Sequence, residues 1–307
     1  MNRFARGDLV EVLPLDDILA VLDDKGALDG LPFMPEMAAF CGRQFRVARR
    51  ANRTCVEDSG EGLLSNTVFL EDVRCDGAHH DGCQRRCLMF WHESWLRQPT
   101  GARLQQPASR ASLARLPVKM GDRYYCQSTE LKRITTPSRG MVAGVALLTK
   151  DLVSREISLP RYVMILGNAL INKFRKQIGL AEIGRLSGPG TETSKGNLDL
   201  EPGELVEIRP LAEISATLDH RGKNRGLNFD PEMALYSGAY EVERRIERII
   251  LETTGKMQTL THTVALKGVD CQGLCARNCP RANPIYWREI WLRRLEPSTK
   301  AAPRSAA

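Results

Sequence analysis

Apolar and polar residues alternate in two stretches far apart in the chain, GDLVEV from Gly7 and GELVEI from Gly203. A period of two predicts a half-buried strand in each. DDILAVLDD then reads as a short helix that stops at Gly26. After a Pro-Glu-Met and a glycine come FRVARRANRTC in the first region and YEVERRIERIILE in the second. The second stretch alone would pass for a helix, since Val242, Ile246, Ile249 and Ile250 have helical spacing. TTGKM and the β-type run LTHTVALKGV follow it, and these favour a hairpin. Each region closes on an aromatic element, FWHESWLR or YWREIWLRRL. Trp91 and Trp95 share a helical face, as do Trp287, Trp291 and Leu295. Asn283 and Pro284 form an N-cap and first-turn pair, so a terminal helix is predicted for each region.

The two regions are copies of one another. A shift of 196 positions places Cys75 on Cys271, Phe33 on Phe229 and Trp95 on Trp291, with a slip of one residue after Gly42 that puts Val47 on Val242. The chain therefore reads as α+β: an N-terminal cysteine-rich unit at 1–100, a middle segment at 101–198, a C-terminal cysteine-rich unit at 199–297 and a disordered tail at 298–307. Each copy is expected to be a small β-sheet or barrel with a terminal helix. In the middle segment Val163, Leu166, Leu170, Ile171 and Phe174 predict a helix ending near Gly179 and packing between the halves. SGPGTETSKGN reads as a linker. The four tryptophans are expected in cores, Glu93 and Glu289 as surface carboxylates or amide partners, His92 at an edge, and the pairs Arg49–Arg50 and Arg244–Arg245 on a solvated strand face.

Composition narrows the function. With 307 residues, 42% of them hydrophobic, the chain can bury one large core or two modest ones. The net charge of +7 permits nucleic acid as a partner. Lys and Arg are spread along the chain instead of gathered in a block, so nucleic acid is not favoured over a pathway protein or peptide. No run of about 18 apolar residues predicts a membrane span, and the first residues lack an apolar signal core, so a cytoplasmic place is expected. Nine cysteines, an odd number without a secretory signal, point to metal or redox work instead of a disulfide framework.

The cysteines are clustered. Cys75, His79, Cys83 and Cys87 follow one another at intervals of four, and so do Cys271, Cys275 and Cys279. In the alignment His79 falls on Cys275. Imidazole and thiol differ in volume and polarity but share coordination of a borderline or soft ion, which points to a metal. Cys55, Cys41 or His80 are candidates to complete the first set. Cys126 or His262 are candidates for the second, which otherwise offers three thiolates and an open coordination position. On that ground the C-terminal site is the one expected to do chemistry, and the N-terminal one is expected to be structural. No Walker loop, GxGxxG, GxSxG or HExxH occurs.

Three resemblances bear on this reading. CDGAH at 75–79 resembles the core of the CDGSH iron–sulfur motif, which implies Cys75 and His79 as cluster ligands; the upstream CxC of that motif is missing. The order of strands, Pro-containing excursion and hairpin resembles SH3-like barrels of the KOW type and of nitrile hydratase beta subunits. The stretches FMPEMAAFCG, VRCDGAHHDGCQRRC, YYCQSTEL and CPRANPIYWREIWLRRL are similar to a bacterial family of duplicated cysteine-rich proteins linked with biosynthetic gene neighbourhoods. The expectation is a zinc or iron–sulfur accessory or redox protein, enzymatic or not. The competing readings are a nucleic-acid-binding pair of zinc-stabilised barrels and a scaffold.

Overall fold

The computed structural model describes residues 3–99, 110–138, 140–190, 193–194, 196–274 and 278–295. The predicted tail at 298–307 and Cys275 lie outside the described residues. Helices mix with small antiparallel sheets. No helix among the described residues is long and apolar enough to cross a membrane. The chain divides into two compact units. The first holds residues 1–181, 247–260 and 270–284; the second holds 182–246, 261–269 and 285–307. Part of the C-terminal repeat, one hairpin and its cysteine loop, thus belongs to the first unit.

In the first unit the alternating strand β1 (Leu9–Val12) leads into the short helix α1 (Leu15–Leu19). The strand β2 (Gln44–Arg50) follows, then a hairpin of β3 (Arg53–Val56) and β4 (Gly60–Leu63), then β5 (Thr67–Leu70). The short strands β6 (Trp91–His92) and β7 (Leu96–Arg97) flank a single 3-10 turn at Glu93–Trp95. The sheet runs β6-β5-β2-β1-β7, antiparallel throughout. The aromatic element is therefore strand, turn and strand instead of the predicted helix. Trp91 and Trp95 are both fully buried because the turn between them resets the alternation, a spacing that also mimics a helical face.

The middle segment supplies α2 (Gln127–Ile134), α3 (Met141–Val153) and α4 (Leu159–Gln177), the last close to its predicted span. Leu148, Ile157 and Ile165 form a small core with Leu152, Tyr162 and Leu166. The opposite side of α4 leaves Leu159, Val163, Leu170 and Phe174 about 60% exposed.

The second unit repeats the sheet. Strands β8 (Leu205–Ile208), β9 (Gly238–Arg245), β12 (Thr263–Asp270), β13 (Pro284–Arg288) and β14 (Leu292–Arg294) run in the order β13-β12-β9-β8-β14, while the hairpin of β10 (Arg248–Ile250) and β11 (Met257–Thr259) belongs to the first unit. Helix α5 (Leu211–Ala216) takes the place of α1. The copies agree in detail. Leu9 pairs with Arg46 where Leu205 pairs with Glu241, and register shifts fall at Val47/Arg49 and at Val242/Arg244. Phe33 meets Trp95 edge-on at 5.2 Å, and Phe229 meets Trp291 edge-on at 5.4 Å. Truncating any of these buried tryptophans to Ala would cost about 3–5 kcal/mol. The described part of SGPGTETSKGN is packed instead of a free linker. Gly190 bridges Asp219, and Asn224 donates to the Ser194 carbonyl at 3.3 Å.

One recurring carboxylate anchors each sheet. Glu93 accepts from the amides of Arg3 and Phe4 and pairs with the buried Arg50. Glu289 accepts from the amides of Leu198, Asp199 and Leu200. Both are buried backbone partners and not surface groups. Arg50 is likewise buried instead of solvated, and His92 is buried beside Asp29 at 3.3 Å instead of at an edge. Burial works to raise the Glu93 carboxyl, but the Arg50 hydrogen bond and the backbone amides outweigh it and hold it below the ordinary 4.5. Glu93 therefore stabilises the fold above that value, and the contribution fades as pH falls through the lowered folded-state value. Replacing Glu93 with Gln should destabilise by about 3 kcal/mol near neutral pH, since Arg50 loses its buried counter-charge. In denaturant titrations the deficit should shrink as pH is lowered below the ordinary carboxylate range.

Candidate functional site

The two cysteine loops share one closed shape. Cys75 N–H donates to the Cys87 carbonyl at 2.9 Å, and Cys271 N–H donates to the Asn283 carbonyl at 2.8 Å. Inside each loop a glycine turns with positive φ, Gly77 at 69° and Gly273 at 72°. A Cβ there would lie 2.1 Å from the Cys83 carbonyl oxygen or 2.2 Å from that of Cys279. Only glycine fits such a turn, so the motif Cys-x-Gly followed by Cys is a constraint of backbone closure as well as of side-chain chemistry.

The loops then reach across to each other's hairpins. Cys83 Sγ accepts from Ile250 N–H on β10 at 3.3 Å. Cys279 Sγ accepts from Cys55 N–H on β3 at 3.2 Å. Ile250 and Cys55 are equivalent positions in the two copies. Arg85 donates to the Ile250 carbonyl at 3.1 Å, and Arg281 donates to the Cys55 carbonyl at 2.9 Å. Both arginines approach Glu252, at 3.5 Å and 2.9 Å. Glu252 also accepts from Ser128 Oγ at 3.0 Å and from Glu57 N–H at 2.9 Å. Burial alone would lower the Arg281 pKa, but Glu252 and the neighbouring thiols raise it, so the guanidinium stays charged in a buried place.

Beside this charge cluster lies a cavity with about 500 Å³ free of protein atoms, part of it open to solvent. Cys75, Cys83, Cys87 and Cys126 all line it, with His80, Arg85 and Arg281. Cys126 arrives on the N-cap of α2, where Thr129 Oγ1 accepts its N–H at 3.1 Å. Burial pushes the Cys126 thiol up to about 11 and raises Cys75 and Cys83 as well. His80 lies 2.7 Å from Glu36 through Nδ1 and 3.0 Å from the Tyr125 carbonyl through Nε2. A carbonyl only accepts, so Nε2 carries a proton. Burial works against the imidazolium, but the Glu36 contact outweighs it and raises His80. With both ring nitrogens engaged, His80 is a wall of the cavity and not a free ligand.

The sequence-derived candidates separate into groups. Cys75, Cys83 and Cys87 line one cavity, without gathering at a single ion position, and Cys126, a candidate for the C-terminal set, lines the same cavity. Cys55, expected to complete the N-terminal set, lies instead against Cys279. A hydrogen bond to Cys55, together with burial, raises the Cys279 thiol. His79 is exposed and does not line the cavity. Cys41 sits in the hydrophobic core, its thiol pushed up to about 12 by burial. His262 belongs to the second unit, 3.7 Å from Glu289. Cys271 is half-buried at the base of its loop. Among the described residues no three His, Cys, Asp or Glu side chains are gathered closely enough to hold one metal ion.

Arg85, Arg281 and Glu252 were not singled out from the sequence. The signal was present: an arginine stands two places after Cys83 and again two places after Cys279. Glu252 carried the same mark, since its equivalent is Glu57, but the two glutamates differ in use: Glu57 offers its amide where Glu252 uses its carboxylate. Comparison of the chain with protein-family models, curated proteins and solved structures finds no match. Replacing Arg281 with Leu should cost about 3 kcal/mol in urea titrations by leaving Glu252 short of its closest charged partner. Adding Glu252→Leu should return part of that loss, a coupling that a double-mutant cycle reads directly.

Proposed function

We propose that this chain is an iron–sulfur redox or accessory protein whose cluster is held by Cys75, Cys83, Cys87 and Cys126. The observation that carries the reading is that these four cysteines, three from one loop and one from a helix cap, line the same cavity. A single zinc with sulfur at 2.3 Å would need its thiolates about 3.8 Å apart. The described residues include no group of three donors so disposed. Four cysteines lining one cavity match the number that a polynuclear cluster takes, with its cysteines attached to different irons. Arg85 and Arg281 favour the negative charge that four coordinating thiolates bring, and the apolar walls, Met34, Phe90 and Ile250, limit solvent access. A bound cluster would supply one-electron transfer. The protein's share is to fix the ligands, exclude water and set the local charge.

Each five-stranded sheet is read here as an SH3-like barrel. Support comes from the order β6-β5-β2-β1-β7, from the long excursion between β1 and β2, and from the single 3-10 turn before the last strand. A reducing, cytoplasmic setting suits thiols of this number.

Anaerobic purification followed by iron, acid-labile sulfide and zinc analysis tests the assignment. The expected result is iron with sulfide and a broad visible absorption, lost in Cys87→Ser and in Cys126→Ser and kept in Cys41→Ser. Zinc with no visible absorption, or absorption that survives both cavity substitutions, would overturn it.

A further inference from the structure

Helix α4 is packed on one side only. Ile165 is buried in the small core with Leu148 and Ile157, and Tyr162 Oη lies 3.0 Å from Thr149 Oγ1 on α3. Arg161 fastens the first turns by donating from Nε to Asn278 Oδ1 at 3.2 Å. The side turned away carries Leu159, Val163, Leu170, Phe174 and, at the C-cap, Ile178, with exposures between 53% and 61%. Intervals of four and seven residues place all five in one stripe. Gly167 stands in the middle of that stripe, and a Cβ there would meet nothing within 4 Å. From Leu159 to Leu180 the chain has the basic residues Arg161, Lys173, Arg175 and Lys176 and no acidic residue. Arg175 Nε holds the helix end by donating to the Ala181 carbonyl at 2.7 Å. Lys173 and Lys176 are exposed, and among the described residues no carboxylate pairs with either. Lys173 and Arg175 lie one residue before and one after Phe174, each about 100° round the helix from it. Cations therefore border the apolar stripe on both sides.

We propose that the outer face of α4 docks on the surface of an anionic lipid bilayer, with the helix lying in the plane of the interface. Leu159, Val163, Leu170, Phe174 and Ile178 enter the boundary between headgroups and acyl chains. Lys173, Arg175 and Lys176 extend beside them to the lipid phosphates. The charge of the helix selects this occupant. A stripe bordered by cations and free of acids complements a negative surface and has no complement in itself. Pairing α4 with α4 of a second copy, parallel or antiparallel, brings only like charges together. The stripe is also the convex face of one helix. A fluid lipid boundary accepts such a shape without a matching groove. The attachment is peripheral, since no helix among the described residues is long and apolar enough to cross a membrane. This inference goes beyond the redox reading and does not rest on it, because no cavity cysteine takes part.

The test is co-sedimentation of the full-length protein with vesicles of phosphatidylcholine alone and of equimolar phosphatidylcholine and phosphatidylglycerol. The protein should pellet with the anionic vesicles and not with the neutral ones, and added salt should weaken the binding. Leu170→Gln combined with Phe174→Gln removes the middle of the stripe and should weaken binding by about tenfold or more. Lys173→Gln combined with Lys176→Gln should weaken it by about tenfold or more as well. Leu235→Gln, at a leucine of the second unit that is 61% exposed, should leave binding unchanged. Equal pelleting with both kinds of vesicle, pelleting with neither, or full binding by either double variant would overturn the proposal. So would a wild-type dimer in analytical ultracentrifugation that Phe174→Gln dissociates, because a second copy would then cover the face. All the substituted side chains are exposed. The wild-type comparison of the two vesicle kinds stands even if a variant fails to fold.

Discussion

The first unit is organised about one buried carboxylate, Glu252. A lone carboxylate in such a place would be costly by several kcal/mol. It is tolerated because Arg85 and Arg281, Ser128 Oγ and the Glu57 amide converge on it from four different stretches of chain. Each arginine also ties its own cysteine loop to the opposite hairpin through a backbone carbonyl. Position of the loops, register of the hairpin edges and the wall of the cavity therefore depend on one another through a single charge. Removal of any one partner is felt by both loops.

The duplication explains why the arrangement is reciprocal and why it is not symmetric. Equivalent sulfurs, Cys83 and Cys279, accept from equivalent amides, Ile250 and Cys55. The side chains at those two hairpin positions differ, and so do the chemistries. Where the edge residue is isoleucine, the space beside the loop is lined with apolar atoms and leaves a cavity. Where it is cysteine, the same approach sets the Cys55 amide against the Cys279 sulfur. Cys126 breaks the equivalence further, since the middle segment has no second copy to offer the other loop.

Much of this was readable from the chain alone. The strands β1 and β8, the hairpins, the helix α4 and the burial of all four tryptophans follow from periodicity. The duplication and the glycines of the loops follow from the alignment. The terminal helix was misread because a strand, one 3-10 turn and a strand place Trp91 and Trp95 four apart, the spacing of a helical face. The partnering of cysteines was misread for a different reason. Spacing along the sequence groups Cys55 with Cys75 and leaves Cys126 for the C-terminal set. The exchange of loops between hairpins is a tertiary event with no local signature, and it reverses both assignments.

That exchange has a bearing on biosynthesis. The cavity walls include Ile250 and Arg281, which follow the cysteines of the N-terminal loop far along the chain. At ordinary rates of translation the ribosome adds the residues between Cys87 and Arg281 in about 10–40 seconds. Throughout that interval the N-terminal loop holds its thiols without the wall that later covers them, and no amount of local stability in the first repeat can close the pocket sooner. The nascent chain presents the three thiols of this loop in an open setting before it is a protein with a sheltered site, and whatever thiol-seeking chemistry the cell contains meets them in that order.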